Sequence, residues 1–310
     1  MSVRRAERDR AARLSFVSLA AGALVAGAVL SGCASQSSGS PTPTASTGAG
    51  SDPKSLVPSD VKSSGKLVIA ADASYAPNEF FDTDGKTIIG MDADLGKAIA
   101  QKLGLSAELQ NVTFDSIIPG LAAGKYNLGM SSFTDTKERE KTIDFVTYFT
   151  AGSSLMVKAG NPQNLSAADL SLCGKKIAVE KGTTQEQTDI PADSAKCKAA
   201  GKPAVTGLSF DDQNGVNLAL DSGRADGALG DSPVIAYAVK QQAAKFAVSG
   251  DSYGNAPYGI AVPKDAGHLK DAVLGALKEL IADGTYTQIL TKWGIQSGAI
   301  TAPAINAATS

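Results

Sequence analysis

Residues 67–77 read LVIAADASYAP, and residues 176–186 read KIAVEKGTTQE. Each is a short apolar run that stops at an acid and passes through a Gly- or Pro-containing turn, as a strand does when it hands over to a helix in an α/β layer. Working outward from these two starts, strands are expected at 67–71, 107–112, 127–132, 176–180, 204–209 and 226–230. Helices fall between them: in Ala93–Leu103 the residues Leu95, Ala98, Ile99 and Leu103 share a face, and in Asp212–Ser222 Val216 and Leu220 do the same. Gly104 and Gly223 stand where helices stop. One βαβ series therefore runs over about 66–150 and a second over about 175–250. Extended stretches, SSLMVKA (153–159) and YGIAVPK (258–264), follow each.

Leu269, Ala272, Val273, Ala276, Leu277, Leu280 and Ile281 repeat at helical spacing, and a shorter helix carries Tyr286, Ile289, Leu290 and Trp293. These helices come after the second series but need a sheet to cover, and the first series supplies it. The expectation is an α/β fold of two lobes, each a mixed sheet flanked by helices, joined by two crossing strands with a cleft between. Trp293 is expected in packing and His268, the single histidine, at the surface.

The N-terminus reads differently. Of 29 Lys and Arg, five (Arg4, Arg5, Arg8, Arg10, Arg13) lie in the first 33 residues with two of the 31 acids, leaving 24 basic against 29 acidic residues beyond. That balance gives no reason to expect nucleic acid as a partner. LSFVSLAAGALVAGAVL follows the arginines, then Ser31, Gly32 and Cys33, the order of a secretory signal. Leu30-Ser31-Gly32-Cys33 resembles the bacterial lipobox, which implies cleavage before Cys33 and lipidation of its thiol. The next stretch, ASQSSGSPTPTASTGAGSDP, has almost nothing apolar to bury and reads as a disordered tether. Boundaries follow: signal peptide 1–32, anchored tether 33–60, first lobe 61–155 with 257–299, second lobe 156–256, and a flexible tail 300–310. Cys173 and Cys197 are candidates for a disulfide outside the cytoplasm, and with one histidine neither a zinc site nor histidine-based catalysis is expected.

Ligands of α/β sheets sit beyond the carboxyl ends of strands, so the strand-to-helix junctions matter most. They carry Asp72, Tyr75, Phe114, Ser131, Ser132, Thr134, Arg139, Glu180, Thr183, Thr184, Gln185 and Asp231. Asp135 with Glu138, and Thr183 with Glu186, have capping-box spacing, and Ser232 before Pro233 reads as an N-cap. A free amino acid needs such a set: a guanidinium for its carboxylate, an anion for its ammonium, and apolar faces for its stem.

From about Lys66 to Ile295 the chain resembles the polar amino-acid-binding proteins of ATP-binding cassette importers, bacterial extracellular solute-binding proteins of family 3. The resemblance is carried by the YAP turn at 75–77, IGMDADLGKAIAQKLG, TFDSIIPGLAAGKYN, MSSFTDTKEREKTIDF, GKKIAVEKGTTQE, SGRADGALGDSPV and PYGIAVPK. It implies a periplasmic-binding-protein-like fold, capture of an amino acid by hinge closure, delivery to a membrane permease, a monomer, and neither catalysis nor a cofactor. By the same resemblance, Arg139 takes the ligand carboxylate with help from Ser132, Thr134 and Thr184, Asp231 takes the α-ammonium, Tyr75 and Phe114 sandwich the stem, and Asp72 faces a distal nitrogen. Glu180 departs from the apolar residue that the basic amino-acid binders have there. Turned inward, with Asp72, Asp231 and Glu79, it favours a cationic ligand such as arginine, lysine or ornithine; turned outward, it pairs with Lys175 or Lys181 and a glutamine- or glutamate-type ligand stands instead. A cyclohexadienyl dehydratase-like enzyme and a sensor module are the rival functions.

Overall fold

The structure, a computed structural model, describes residues 52–309. The expected signal peptide, Cys33 and most of the expected tether lie outside those residues. The strands are β1 (Lys66–Ala71), β2 (Ser74–Tyr75), β3 (Glu79–Phe81), β4 (Ile88–Ile89), β5 (Ser106–Asn111), β6 (Leu128–Gly129), β7 (Ile143–Lys158), β8 (Lys176–Glu180), β9 (Thr206–Phe210), β10 (Gly227–Asp231) and β11 (Phe246–Pro263). The helices are α1 (Ser59–Ser64), α2 (Met91–Lys102), α3 (Phe114–Ala122), α4 (Lys137–Glu140), α5 (Ile190–Ala199), α6 (Gln213–Asp221), α7 (Ser232–Gln241), α8 (Leu269–Ala282) and α9 (Thr285–Trp293). None of them is long and apolar enough to cross a membrane.

One eight-stranded sheet runs in the order β5-β1-β6-β11-β7-β10-β8-β9, beside a small sheet of β2, β3 and β4. β1 pairs in parallel with β5 and β6, and β8 with β10 and β9, so each βαβ series forms one wing of the sheet. Between the wings β7 and β11 pair antiparallel, from Ile143 opposite Pro263 to Lys158 opposite Phe246. Their register shifts between Ser249 and Tyr253 and between Tyr253 and Ala256, where the pair crosses from one lobe to the other. Gly152 lies at this crossing because a Cβ there would stand 2.4 Å from the Tyr253 carbonyl oxygen.

The apolar periodicities are spent as expected. Leu269, Val273, Ala276, Leu277 and Leu280 of α8, with Tyr286 and Leu290 of α9, pack on Leu67, Ile69, Val146 and Ile260 of the first lobe's sheet. The opposite face of that sheet is covered by Phe114, Ile117 and Leu121 of α3. Leu155, Val157, Ile177, Val179 and Leu229 form one core of the second lobe, and Met156, Ala178, Val216, Leu220 and Ile235 form the other. Cys173 and Cys197 are joined, tying the segment before β8 to α5.

Both ends of the folded body differ from expectation. The tether was expected to reach residue 60, yet Pro53–Leu56 form a turn of 3-10 helix capped by Asp52, and Val57 and Val61 are buried in the first lobe's core. Two valines four residues apart are enough to dock a segment too polar to show an amphipathic period. The stretch 300–310 was expected to be a flexible tail. Instead Ile305 bridges Val146, Asn306 accepts the Phe145 N–H at 2.8 Å and donates to Asp144 at 3.0 Å, and the Ala307 N–H donates to Asp135 at 2.8 Å. Backbone pairing and one asparagine leave no trace in hydropathy, which is why the docking is invisible in the sequence.

Deleting residues 302–310 removes these bonds and strips Asp135 of a donor. The expected outcome is a loss of roughly 2–4 kcal/mol in urea unfolding with the circular dichroism spectrum retained; an unchanged midpoint would mean that the tail contributes nothing.

Candidate ligand-binding site

The carboxyl ends of β1, β8 and β10 face a common, narrow cavity between the lobes. The first lobe contributes Tyr75, Phe114, Ser131, Ser132, Thr134 and Arg139, and the second Glu180, Thr183, Thr184, Gln185 and Asp231. Every candidate from the sequence except Asp72 therefore lines it. A wider groove runs past Tyr237, Lys240 and Trp293, but its one charged side chain is Lys240, whereas the smaller cavity gathers convergent buried polar groups.

Arg139 is held from three sides. Its guanidinium donates to the Thr134 carbonyl at 2.8 Å and, across the cleft, to the Gly182 carbonyl at 2.8 Å. It lies 5.5 Å from the ring centroids of Phe114 and Phe133, which stack on each other at 4.4 Å. Two of five N–H donors are used, so the rest remain for an anion. Burial draws its pKa down to about 10, which leaves it charged at neutral pH. Phe133 was not among the sequence candidates, although it lies within a quoted motif. The expected capping box at Asp135 is displaced by one residue: Thr136 caps α4, accepting from the Arg139 N–H, because Asp135 is engaged with Ala307.

On the facing lobe, Asp231 ends β10 with both oxygens engaged: Oδ1 accepts from Gln185 at 2.7 Å and Oδ2 from the Tyr258 hydroxyl at 2.6 Å. Its own N–H donates to the Tyr75 hydroxyl at 3.1 Å, a second bond between the lobes. Asp231, not Ser232, is the N-cap residue of α7. Tyr258 was overlooked in the sequence, since nothing in PYGIAVPK marks its hydroxyl as the partner of an acid 27 residues earlier. Thr183 accepts from the Glu186 N–H and donates to the Glu180 carbonyl, but the Glu186 carboxylate accepts from the Gly182 N–H rather than from that of Thr183, so only half of the expected capping box forms beside the left-handed turn at Gly182 (φ 81°).

Glu180 faces inward. It is 2% exposed, and neither carboxyl oxygen has a hydrogen-bond partner. The lysines that could have paired it at the surface are engaged elsewhere: Lys181 reaches across the cleft to Asp115 at 2.8 Å, and Lys175 donates to Gln163. Burial raises the Glu180 pKa well above the usual carboxylate range, and the charges that reinforce the shift are Asp72, Asp231, Asp212 and Asp115, all acids. Asp72 is displaced from its expected role: Oδ2 accepts the Phe114 N–H at 3.0 Å and so caps α3, and burial raises its pKa to about 6. Ser132 is likewise spoken for, its N–H by Asp92 at 2.9 Å and its hydroxyl by Glu79 at 3.2 Å, so it has no donor left for a carboxylate. Glu79 itself lies behind the cavity wall rather than on it. Trp293 packs against the first lobe's core and His268 is exposed.

Residues 67–296 match the bacterial extracellular solute-binding proteins, family 3. The chain belongs to this family. Among curated relatives it is similar to the arginine-binding protein ArgT of Corynebacterium glutamicum, 35% identical over 82% of each chain. Among solved structures it is similar to an ancestral arginine-binding protein bound to arginine, with 38% identity, a TM-score of 0.67, and coverage of 74% of this chain and 98% of that one. It is also similar to the ancestral amino acid-binding protein AncCDT-1, a precursor of cyclohexadienyl dehydratase, with 35% identity, a TM-score of 0.67, and coverage of 76% and 97%. Family 3 membership and these neighbours agree with the two-lobed architecture described above.

A buried acid whose pKa is raised on folding favours the folded state below its unfolded pKa and loses that contribution as pH rises toward the folded value. Glu180→Gln is therefore expected to stabilise the ligand-free protein above about pH 4.5, by an amount growing at most about 1.4 kcal/mol per pH unit. Chemical unfolding of both proteins between pH 4 and 8 measures it, and a constant difference would place Glu180 in contact with water.

Proposed function

We propose that this family 3 protein captures L-arginine in the cavity between its lobes and delivers it to the permease of an ATP-binding cassette importer, tethered to the outer face of the membrane by a lipid on Cys33. The observation that carries the ligand is Glu180, a buried carboxylate with two bare oxygens among acids. A buried carboxylate without a counter-ion is costly, and a guanidinium supplies both the charge and a planar pair of donors for the two oxygens. Lysine or ornithine supplies the charge without the fork, and glutamine supplies neither. At the other end Arg139 takes the α-carboxylate with Thr134 and Thr184, Asp231 takes the α-ammonium, and Tyr75 and Phe114 flank the stem. The arginine bound by the ancestral neighbour and named for ArgT supports the same ligand.

The test is calorimetry and thermal unfolding of residues 34–310, refolded to remove carried-over ligand, against arginine, lysine, ornithine, glutamine, glutamate and prephenate. Arginine is expected to bind most tightly. Arg139→Ala should weaken it at least about 30-fold, roughly 2 kcal/mol, and Glu180→Gln should abolish the preference for arginine over glutamine. Stabilisation by glutamine alone would refute the role given to Glu180.

Burial favours the protonated form of Glu180 in the empty cavity and a bound cation favours the ionised form, so binding releases protons. The affinity for arginine is expected to rise as pH increases above the usual carboxylate range, by up to about tenfold per unit, and the heat of binding to vary with the buffer's ionisation enthalpy. A buffer-independent heat would mean that Glu180 keeps its proton.

A second reading is favoured by that same proton: a dehydratase could use a protonated Glu180 as its acid, and AncCDT-1 is named as a precursor of such an enzyme. Turnover of prephenate that is lost in Glu180→Gln would establish it in place of arginine capture.

A further inference from the structure

Behind Ser131 and Ser132 lie two carboxyls that none of the proposed ligand contacts uses. Glu79 and Asp92 are fully buried and within hydrogen-bonding reach of each other, and the charges acting most strongly on Glu79 are Asp92 and Asp72, both acids. Two facing carboxylates in such a place do not both ionise; they hold one proton between them.

The surrounding bonds locate that proton. Glu79 Oε1 accepts from the Ser131 hydroxyl at 3.0 Å and Oε2 from the Ser132 hydroxyl at 3.2 Å. Asp92 Oδ2 accepts from the Ser132 N–H at 2.9 Å and the Tyr148 hydroxyl at 2.8 Å. Asp92 Oδ1 is buried with no donor from any other group and is thus the Asp92 oxygen left for a proton shared with Glu79. Both serine protons then point at Glu79. A serine hydroxyl has one proton and two lone pairs. Ser131 Oγ also accepts from the Asp72 N–H at 2.9 Å, and Ser132 Oγ from the Asn78 amide at 2.9 Å. Each is left with one lone pair and no proton for the cavity.

We propose that Glu79, held against Asp92 with one proton between them, is a positioning residue that makes Ser131 and Ser132 pure hydrogen-bond acceptors and so selects the ammonium of the ligand over its carboxylate at that wall. The selection rests on the amino-acid ligand proposed above; the shared proton does not.

The two acids are distinguishable by substitution. Asp92→Asn keeps the pattern: the amide oxygen takes the Ser132 N–H and Tyr148, the amide nitrogen faces Glu79, and an ionised Glu79 still receives both serine protons. Glu79→Gln breaks it, because the new amide nitrogen donates to one serine, which must turn its proton into the cavity toward a ligand donor.

Arginine binding is expected to stay within about threefold of wild type in Asp92→Asn and to weaken at least about tenfold in Glu79→Gln. In the Glu180→Gln background at pH 8, where Glu180 contributes no signal, infrared spectroscopy should show a protonated-carboxyl band that disappears in either variant. Equal weakening by both substitutions would overturn the proposal, as it would point to packing alone. Absence of the carboxyl band from the folded Glu180→Gln protein would also overturn it, whether or not the Glu79 and Asp92 variants fold. The infrared measurement needs no ligand: a protein that binds no amino acid yet shows the band would overturn the ligand and its selection while keeping the shared proton.

Discussion

The antiparallel pairing of β7 with β11 carries both lobes, and the position of each functional group follows from it. Asp231 ends β10, which pairs with β7 at Ser153, and Tyr258 on β11 reaches back to the Asp231 carboxylate. Thr134 bridges Tyr258 from the other wing, and Arg139 is anchored on the Thr134 carbonyl. The acid of one lobe and the guanidinium of the other are thus referenced to one pair of strands, with the register shifts beside Tyr253 as the place where that pair can bend.

The lobes meet over an uneven distribution of charge. Arg139 and the carbonyl of Gly182, Tyr75 and the Asp231 N–H, Ser74 and the Gln213 N–H, and Lys181 with Asp115 all join one lobe to the other. Within the enclosed cavity these contacts match the guanidinium and Asp231 but leave Glu180 alone among acids.

Eleven of the twelve cleft candidates named from strand ends and motifs line the cavity, because the end of a strand is a topological position that the hydrophobic pattern defines. Asp72 stands off the cavity wall because a carboxylate one residue past a strand can face the ligand or cap the next helix, and the approach of Phe114 gives one of its oxygens to the helix. Tyr258, Phe133 and Asp92 were missed as parts of the site, and Glu79 was expected in the cleft but lies behind its wall, for a related reason: each acts through a partner brought near by the sheet, with nothing at a fixed offset in the chain to mark it. The docked tail and the docking of residues 52–61 on the first lobe escaped because backbone pairing and two isolated valines have no periodicity to detect.

The amino-acid sequence by itself determined the two βαβ series, the helices that close the first lobe, the family, and the set of side chains brought to the strand ends, since period and motif are local properties of the chain. Only the tertiary structure decided that Glu180 turns inward without a counter-ion, that Asp72 and Ser132 spend their bonds on the protein, and that Glu79 meets Asp92. Those outcomes depend on which groups the packed lobes bring within about 3 Å of one another and shield from water, and no spacing along the chain encodes that.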